Sequence, residues 1–413
     1  MSTTQSTSPS AAARTGGFRK WLQALGPGII TAALVFGPSK ITISSKLGAE
    51  FGFSLLWIVV ITILFMVVFT SMAARIGIAT NQSVLATIRE KWGRGVSVAI
   101  GIGVFLVATS FQAGNSIGIG IAFAELTGTK PLQWIIVFNL VALGLLFFRS
   151  FYKVLEKLMI ALICLMLLAF LITLFLSQPG IDDVAKGFVP SSQPGSFPLV
   201  TAFIASCFSI VAAFYQCYLI QERKRVAPAG TVIKDRSFTG IFILGLMTAI
   251  VMICAAMVLH PKGIRVNSAT DMARALEPLF GKYASSLFLI GLFGASFSAL
   301  VGNSTLGGSV LGDALGNGSS LHSKANKTLI GIVMIIGAVI AIAFGKLPLE
   351  LIVFAQSITI LIVPFIGVVM YAISMDKKLM GVHKGSTVAN VLGAAGLLLI
   401  IGLAIESVRT LFF

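Results

Sequence analysis

The 413-residue chain is 57% hydrophobic and only 11% charged, with a mean hydropathy of +0.99. Apolar runs occupy most of its length, which excludes a soluble enzyme of ordinary composition and defines a polytopic membrane protein. The formal net charge of +16 sits mainly in short loops on one side, so it bears on membrane orientation and not on a nucleic-acid partner.

The opening MSTTQSTSPSAAARTGG is polar and lacks the residue order of a cleaved signal peptide, so residues 1–20 are assigned to a disordered cytoplasmic N-terminus. Segments long enough to cross roughly 30 Å of hydrocarbon then recur eleven times. They fall at about 24–48, 53–74, 96–124, 131–148, 156–177, 196–222, 237–260, 283–311, 328–345, 348–373 and 386–408. With the N-terminus inside, twenty of the thirty basic residues lie on the cytoplasmic side and nine outside. That excess predicts a cytoplasmic N-terminus, an external C-terminus and residence in a bacterial inner membrane.

Only Lys40 falls within the membrane. It closes the set Gly37-Pro38-Ser39-Lys40 in the middle of span one, which cannot continue a regular helix. Pro38 donates no backbone N–H and its ring clashes with the preceding turn, while Gly37 tolerates unusual dihedrals. Freed backbone groups in hydrocarbon are tolerable only where protein or a water-filled cavity receives them. A broken span with a cation at its break is therefore a candidate binding site.

Span six, Ser196 to Gln221, carries small and polar residues at Ser206, Ser209, Ala212 and Ala213 but no obvious breaker. Its place in the chain suggests a break nonetheless. Five spans is an odd number, so two sets of five face opposite ways, and the first helix of each repeat is expected to unwind at the midplane. Three further spans carry polar groups at depth: span three around Gln112 and Asn115, span eight around Asn303, and span ten at Gln356 ahead of Pro364. Such groups also serve as plain interhelical hydrogen bonds. The four cysteines show no metal-finger spacing or disulfide framework, and the three histidines fall at span ends or in loops. No base, nucleophile or metal cluster converges, so neither an enzyme nor a cofactor is expected.

The order L-G-P-G, eight residues, the four-residue break, then L-G-A-E-F-G-F-S-L-L-W and M-A-A-R-I-G-I-A-T resembles the start of the NRAMP (natural resistance-associated macrophage protein) metal transporters. The resemblance implies a LeuT-type fold with eleven spans, alternating access, and a substrate site shared by spans one and six. In that family the break reads DPGN. Its metal-binding Asp and Asn fall here on Gly37 and Lys40, and the Met-Pro-His of span six falls on Ser209-Ile210-Val211. The acidic pair of span three falls on Ser110 and Ala113, while the glutamine of span ten survives as Gln356.

These readings converge on an all-α membrane protein with a LeuT-type inverted repeat of five plus five. Repeat one covers about 24–177, repeat two about 196–373 and an extra span about 386–408, within a transmembrane domain of 21–410. The expected substrate-binding residues are Gly37, Ser39, Lys40, Ser206, Ser209, Gln112, Gln216 and Gln356, with Tyr215 in reach of Lys40; no catalytic or metal-ligand set is assigned. The expected activity is secondary transport of a small polar or anionic solute. The alternatives are transport of a divalent ion (Mn²⁺, Fe²⁺ or hydrated Mg²⁺) and a non-transporting sensor on a transporter scaffold. The lipid bilayer is the one macroscopic partner expected, and the oligomeric state is left open.

Overall fold

The computed structural model describes residues 36–146, 149–226, 228, 237–320, 323–343 and 348–412. Residues 1–20 and the first half of the predicted span one lie outside the described residues. Among the described residues the secondary structure is helical, without strands. The main helices are α1 (Pro38–Phe51), α2 (Trp57–Ala79), α3 (Val84–Trp92), α4 (Arg94–Thr127), α5 (Pro131–Leu145), α6 (Arg149–Ser177), α7 (Ile181–Gly187) and α8 (Phe197–Cys207). They continue as α9 (Ile210–Val226), α10 (Ser237–Val258), α11 (Ala269–Ala273), α12 (Ala284–Ala314), α13 (Lys324–Ala343), α14 (Pro348–Thr359), α15 (Val363–Met375) and α16 (Thr387–Phe412). By length and composition, eight stretches of helix among the described residues can cross a membrane, and Pro131–Leu145 and Val363–Met375 add two shorter apolar helices.

The centre is the crossing of α4 with α12, the predicted spans three and eight. Small residues let the two backbones approach. A Cβ added at Gly101 would stand 2.3 Å from the Ala314 Cβ, one at Gly307 would stand 2.5 Å from the Ala108 Cβ, and one at Gly118 would stand 2.3 Å from Ser296 Oγ. The partners run in opposite directions along the chain, 101 with 314, 108 with 307 and 118 with 296, so the helices are antiparallel. That is the arrangement an inverted repeat demands of two equivalent spans. Burial differs widely among the spans. In the apolar windows, 78% of residues are buried for Phe197–Arg225 and 72% for Ala284–Ala314, against 17% for Thr387–Thr410. The extra span α16 therefore lies at the periphery.

Two helix starts follow from proline chemistry. Helix α1 begins at Pro38, after Gly37 in extended geometry (φ −84°, ψ 177°). Proline suits the first helical turn, where its missing N–H is one of the unpaired donors anyway. This corrects the expectation that Gly37 to Lys40 are all non-helical: Ser39 and Lys40 lie in the first turn, and the Lys40 N–H bonds to the Gly37 carbonyl at 3.2 Å. Span ten, expected to be continuous, is interrupted at residues 360–362 between α14 and α15. Pro364 cannot supply the amide that a continuous helix would donate at that point, and the turn closes through Ile362 N to Thr359 O at 3.1 Å.

The end of α1 is clamped against α10. A Cβ at Gly48 would fall 2.2 Å from the Met252 carbonyl oxygen and 2.9 Å from the Ala255 Cβ, so only glycine fits without moving backbone. Gly402, by contrast, has nothing within 4 Å of its notional Cβ. Gly48→Leu is accordingly expected to lower the melting temperature of the purified protein in detergent, from overpacking of roughly 1–3 kcal/mol or more, while Gly402→Ala leaves it unchanged.

Candidate functional site

The break in span six is set by packing. Helix α8 ends at Cys207, Phe208 takes φ −86° and ψ 66°, and α9 begins at Ile210. The Phe208 ring is 1% exposed and wedges against α2, edge-on to Phe69 at 5.1 Å and stacked on Phe65 at 5.7 Å. Ser209 then turns its hydroxyl back to accept from the Ala212 N–H at 3.3 Å, satisfying one free donor at the start of α9. No breaker residue is needed, because a buried aromatic holds the chain out of helical geometry.

Gly37 and the break at Phe208–Ser209 border one cavity of about 280 Å³. Of the expected site residues, Gly37, Ser39, Lys40, Ser206, Ser209, Gln216 and Gln356 line it, as does Tyr215. Gln356 donates from Nε2 to Ser39 Oγ at 3.0 Å, which ties α14 to the first turn of α1. The Gln356 carbonyl is in turn bonded by the Thr359 hydroxyl at 2.7 Å, just before the interruption of span ten.

Gln112 is the exception. Its side chain is fully buried on a different face of α4, where a Cβ at Gly337 of α13 would stand 2.5 Å from its Cγ. Phe111 and Asn115, one helical turn apart, face the cavity instead. Asn115, Thr70, Ser237, Asn303 and Thr305 are the polar lining residues absent from the expected set. The signal that could have selected Asn115 over Gln112 is its spacing from Gly118, the α4 residue that meets Pro38 and Ser296.

The polar groups of the wall are hydroxyls, amides and one ammonium, set among apolar side chains that include the Met66 thioether. Among the described residues no aspartate or glutamate lines the cavity, and no group of three His, Cys, Asp or Glu side chains stands ready for a metal ion. Lys40 is 7% exposed and forms no ion pair among the described residues. The buried carboxylate of Asp313 is engaged elsewhere, accepting from the Tyr218 hydroxyl at 2.7 Å. Ser110, aligned with one of the family's acids, donates to the Ala355 carbonyl at 2.8 Å and so acts as a strut between α4 and α14. Cys207, the thiol next to the break, is 1% exposed with its sulfur against Thr248, off the cavity wall, so the soft ligand on the wall is Met66.

An antiparallel centre flanked by interrupted helices that share a polar cavity defines a membrane transporter of the LeuT type. The family model of natural resistance-associated macrophage protein-like proteins (Nramp) matches residues 28–410, and the chain belongs to that family. It is similar to the divalent metal cation transporter MntH of Deinococcus radiodurans, 26% identical over 378 residues, covering 88% of this chain and 84% of that protein. Its fold is similar to that of the Eremococcus coleocola manganese transporter, with a TM-score of 0.74 at 20% identity over 98% of this chain and 89% of the other. MhsT, solved in complex with L-phenylalanine, shares the fold at a TM-score of 0.59 and 15% identity over 91% of this chain and 98% of its own. The chain is thus an integral membrane transporter and not an enzyme.

The lining can be read chemically. In a protein whose four native cysteines are replaced, Ser209→Cys is expected to react with a small hydrophilic thiol reagent, whereas Gln112→Cys stays unreactive, as counted by mass spectrometry of the intact chain. Equal labelling of the two would remove the placement of Gln112 away from the cavity.

Proposed function

We propose that the cavity between α1 and the α8–α9 break is the cargo site of an alternating-access secondary transporter, and that its cargo is a small polar or anionic solute. The observation that carries this reading is Lys40 on a cavity wall that holds no carboxylate among its described residues. A dication placed ~4 Å from an ammonium is repelled by about 8 kcal/mol even at an effective dielectric of ~20. Manganese and iron are held by carboxylate, sulfur or imidazole ligands, and Gly37, Lys40 and Ser209 stand where the family resemblance puts ligands. In the first turn of α1 Pro38 has no N–H and the Lys40 N–H bonds to the Gly37 carbonyl, so the Ser39 amide is the donor left there, with no side-chain cap at Gly37. That end of the helix favours negative charge and adds to the field of Lys40.

A second reading, transport of a divalent metal cation, is favoured by the relatives, which are named for that activity. By resemblance alone it is the better supported cargo. A strongly hydrated ion such as Mg²⁺ keeps several waters and needs fewer protein carboxylates, so the amide and hydroxyl lining can be reconciled with it if Lys40 is turned away or neutral. The repeat boundaries, about 24–177 and 196–373, belong to the same proposal. So does the membrane orientation, with the N-terminus cytoplasmic and the C-terminus external, which the bias of basic residues supports.

Calorimetry on purified protein separates the two cargoes. The unmodified chain is expected to give no Mn²⁺ binding at micromolar concentrations. Gly37→Asp with Lys40→Asn is expected to give weak binding, and addition of Ser209→Met to strengthen it. A Cβ at Gly37 meets the Ala299 Cβ at 3.2 Å and Asn115 Oδ1 at 3.6 Å, so an aspartate enters with a small local adjustment. Micromolar Mn²⁺ binding by the unmodified chain, matched by Mn²⁺ uptake into proteoliposomes, would establish the second reading and overturn the first.

A further inference from the structure

The cavity wall contains polar atoms that the protein leaves unanswered. Asn115 Nδ2, Ser206 Oγ, Thr70 Oγ1 and Gln356 Oε1 have no hydrogen-bond partner among the described residues. Their residues are 1%, 2%, 4% and 1% exposed, and all four line the cavity. Buried polar atoms are normally paired, so an unpaired set converging on one space points to a ligand that pairs them.

The set has a polarity. Gln356 is oriented by its Nε2 bond to Ser39, which leaves Oε1 as an acceptor facing the cavity. Asn115 Nδ2 and the Lys40 ammonium can only donate. Backbone groups add to both kinds: the Ser39 N–H at the uncapped start of α1, where Pro38 has none and the Lys40 N–H bonds to the Gly37 carbonyl, and the carbonyls at the end of α8 beside Ser206. At the start of α9 the Ser209 hydroxyl takes one N–H, that of Ala212. The lining therefore sets donors and one positive charge within reach of acceptors, since Gln356 Oε1 belongs to the amide that is bonded to Ser39 in the first turn of α1.

Resting on the polar-solute reading above, we infer that the cargo is a small carboxylate which also bears a hydrogen-bond donor next to the carboxyl group, an amino or hydroxy acid. Its carboxylate pairs with Lys40, Asn115 and the start of α1. Its donor pairs with Gln356 Oε1 and the carbonyl end of α8. A simple anion would leave the acceptors unpaired, and a simple amine would leave Lys40 unpaired and be repelled by it. The volume of about 280 Å³ lies at the bottom of the ~300–1,000 Å³ range of sites for drug-sized ligands, which limits the cargo to a small acid.

The test is calorimetry on the full-length purified protein with four probes: glycine, glycolate, acetate and methylamine. Glycine or glycolate is expected to bind, acetate about tenfold more weakly, in line with a buried acceptor left unpaired, and methylamine not at all. Lys40→Met and Asn115→Leu are expected to weaken binding of the preferred acid by about tenfold or more. Gln356→Leu is expected to reduce it to the level of acetate. Acetate binding as tightly as glycine and glycolate would overturn the two-ended recognition while leaving an anionic cargo in place. Mn²⁺ binding with no response to any carboxylate would overturn this inference and the polar-solute reading together. Silence toward all four probes would overturn the inference. The probe comparison on the unmodified chain decides the matter even where a variant does not fold.

Discussion

A backbone group released from a helix inside hydrocarbon has to be received by protein or by water that protein encloses, and the architecture around the cavity follows from this. The chain is outside helical geometry at Gly37, just before α1, at Phe208–Ser209 and at residues 360–362. The first two of these places border the cavity directly, and Gln356, a few residues before the third, lines it too. Each carries its own means of limiting unpaired groups. Pro38 has no N–H to lose, Ser209 caps α9, and the Thr359 hydroxyl takes the Gln356 carbonyl. The unpaired side-chain atoms of Thr70, Asn115, Ser206 and Gln356 are the ones that line the cavity, and with Lys40 they set its chemistry.

The interrupted helices surround a pair that is not interrupted. Helices α4 and α12 run antiparallel in glycine- and alanine-mediated contact, with backbones too close to accept larger residues at Gly101, Gly118 or Gly307. Small residues serve as the packing code here because lipid tails are as apolar as leucine, so close van der Waals contact and not hydrophobicity selects the partner. Gly118 shows how tightly scaffold and site are coupled, since Pro38 at the start of α1 and Ser296 of α12 both meet it.

Much of this was legible in the residues. Apolar run length located the helices to within a few positions, Gly37-Pro38 marked the first interruption, and the motifs around Leu47 and Met72 pointed to the family. The illegible parts share a cause. Helix α4 carries small and apolar residues around its circumference, so its inward face shows only in the spacing of Asn115 from Gly118, whose role is visible once Pro38 and Ser296 are seen against it. In span six the interruption is imposed by Phe208 packing on Phe65 and Phe69 of a distant helix, and no local propensity announces it. Pro364 in span ten is as compatible with a simple kink as with an interruption, so the pattern alone reads as one continuous span. The extent of the helix after Gly37 was misjudged for a related reason. Proline excludes a helix before it far more strongly than after it, so the same residue that ends one segment starts the next.

The clamp between Gly48 and the Met252 carbonyl has a mechanical consequence. Two helices whose backbones touch at a glycine cannot slide along one another there without collision, so α1 and α10 are held in register at this end. The His260 ring, hydrogen-bonded through Nδ1 to the Ala49 carbonyl at 2.9 Å, ties the same end of α1 to the turn after α10. The helix that begins at the cavity is thereby anchored at its far end, and the loop that follows α10 is mechanically coupled to the first turn that borders the cavity.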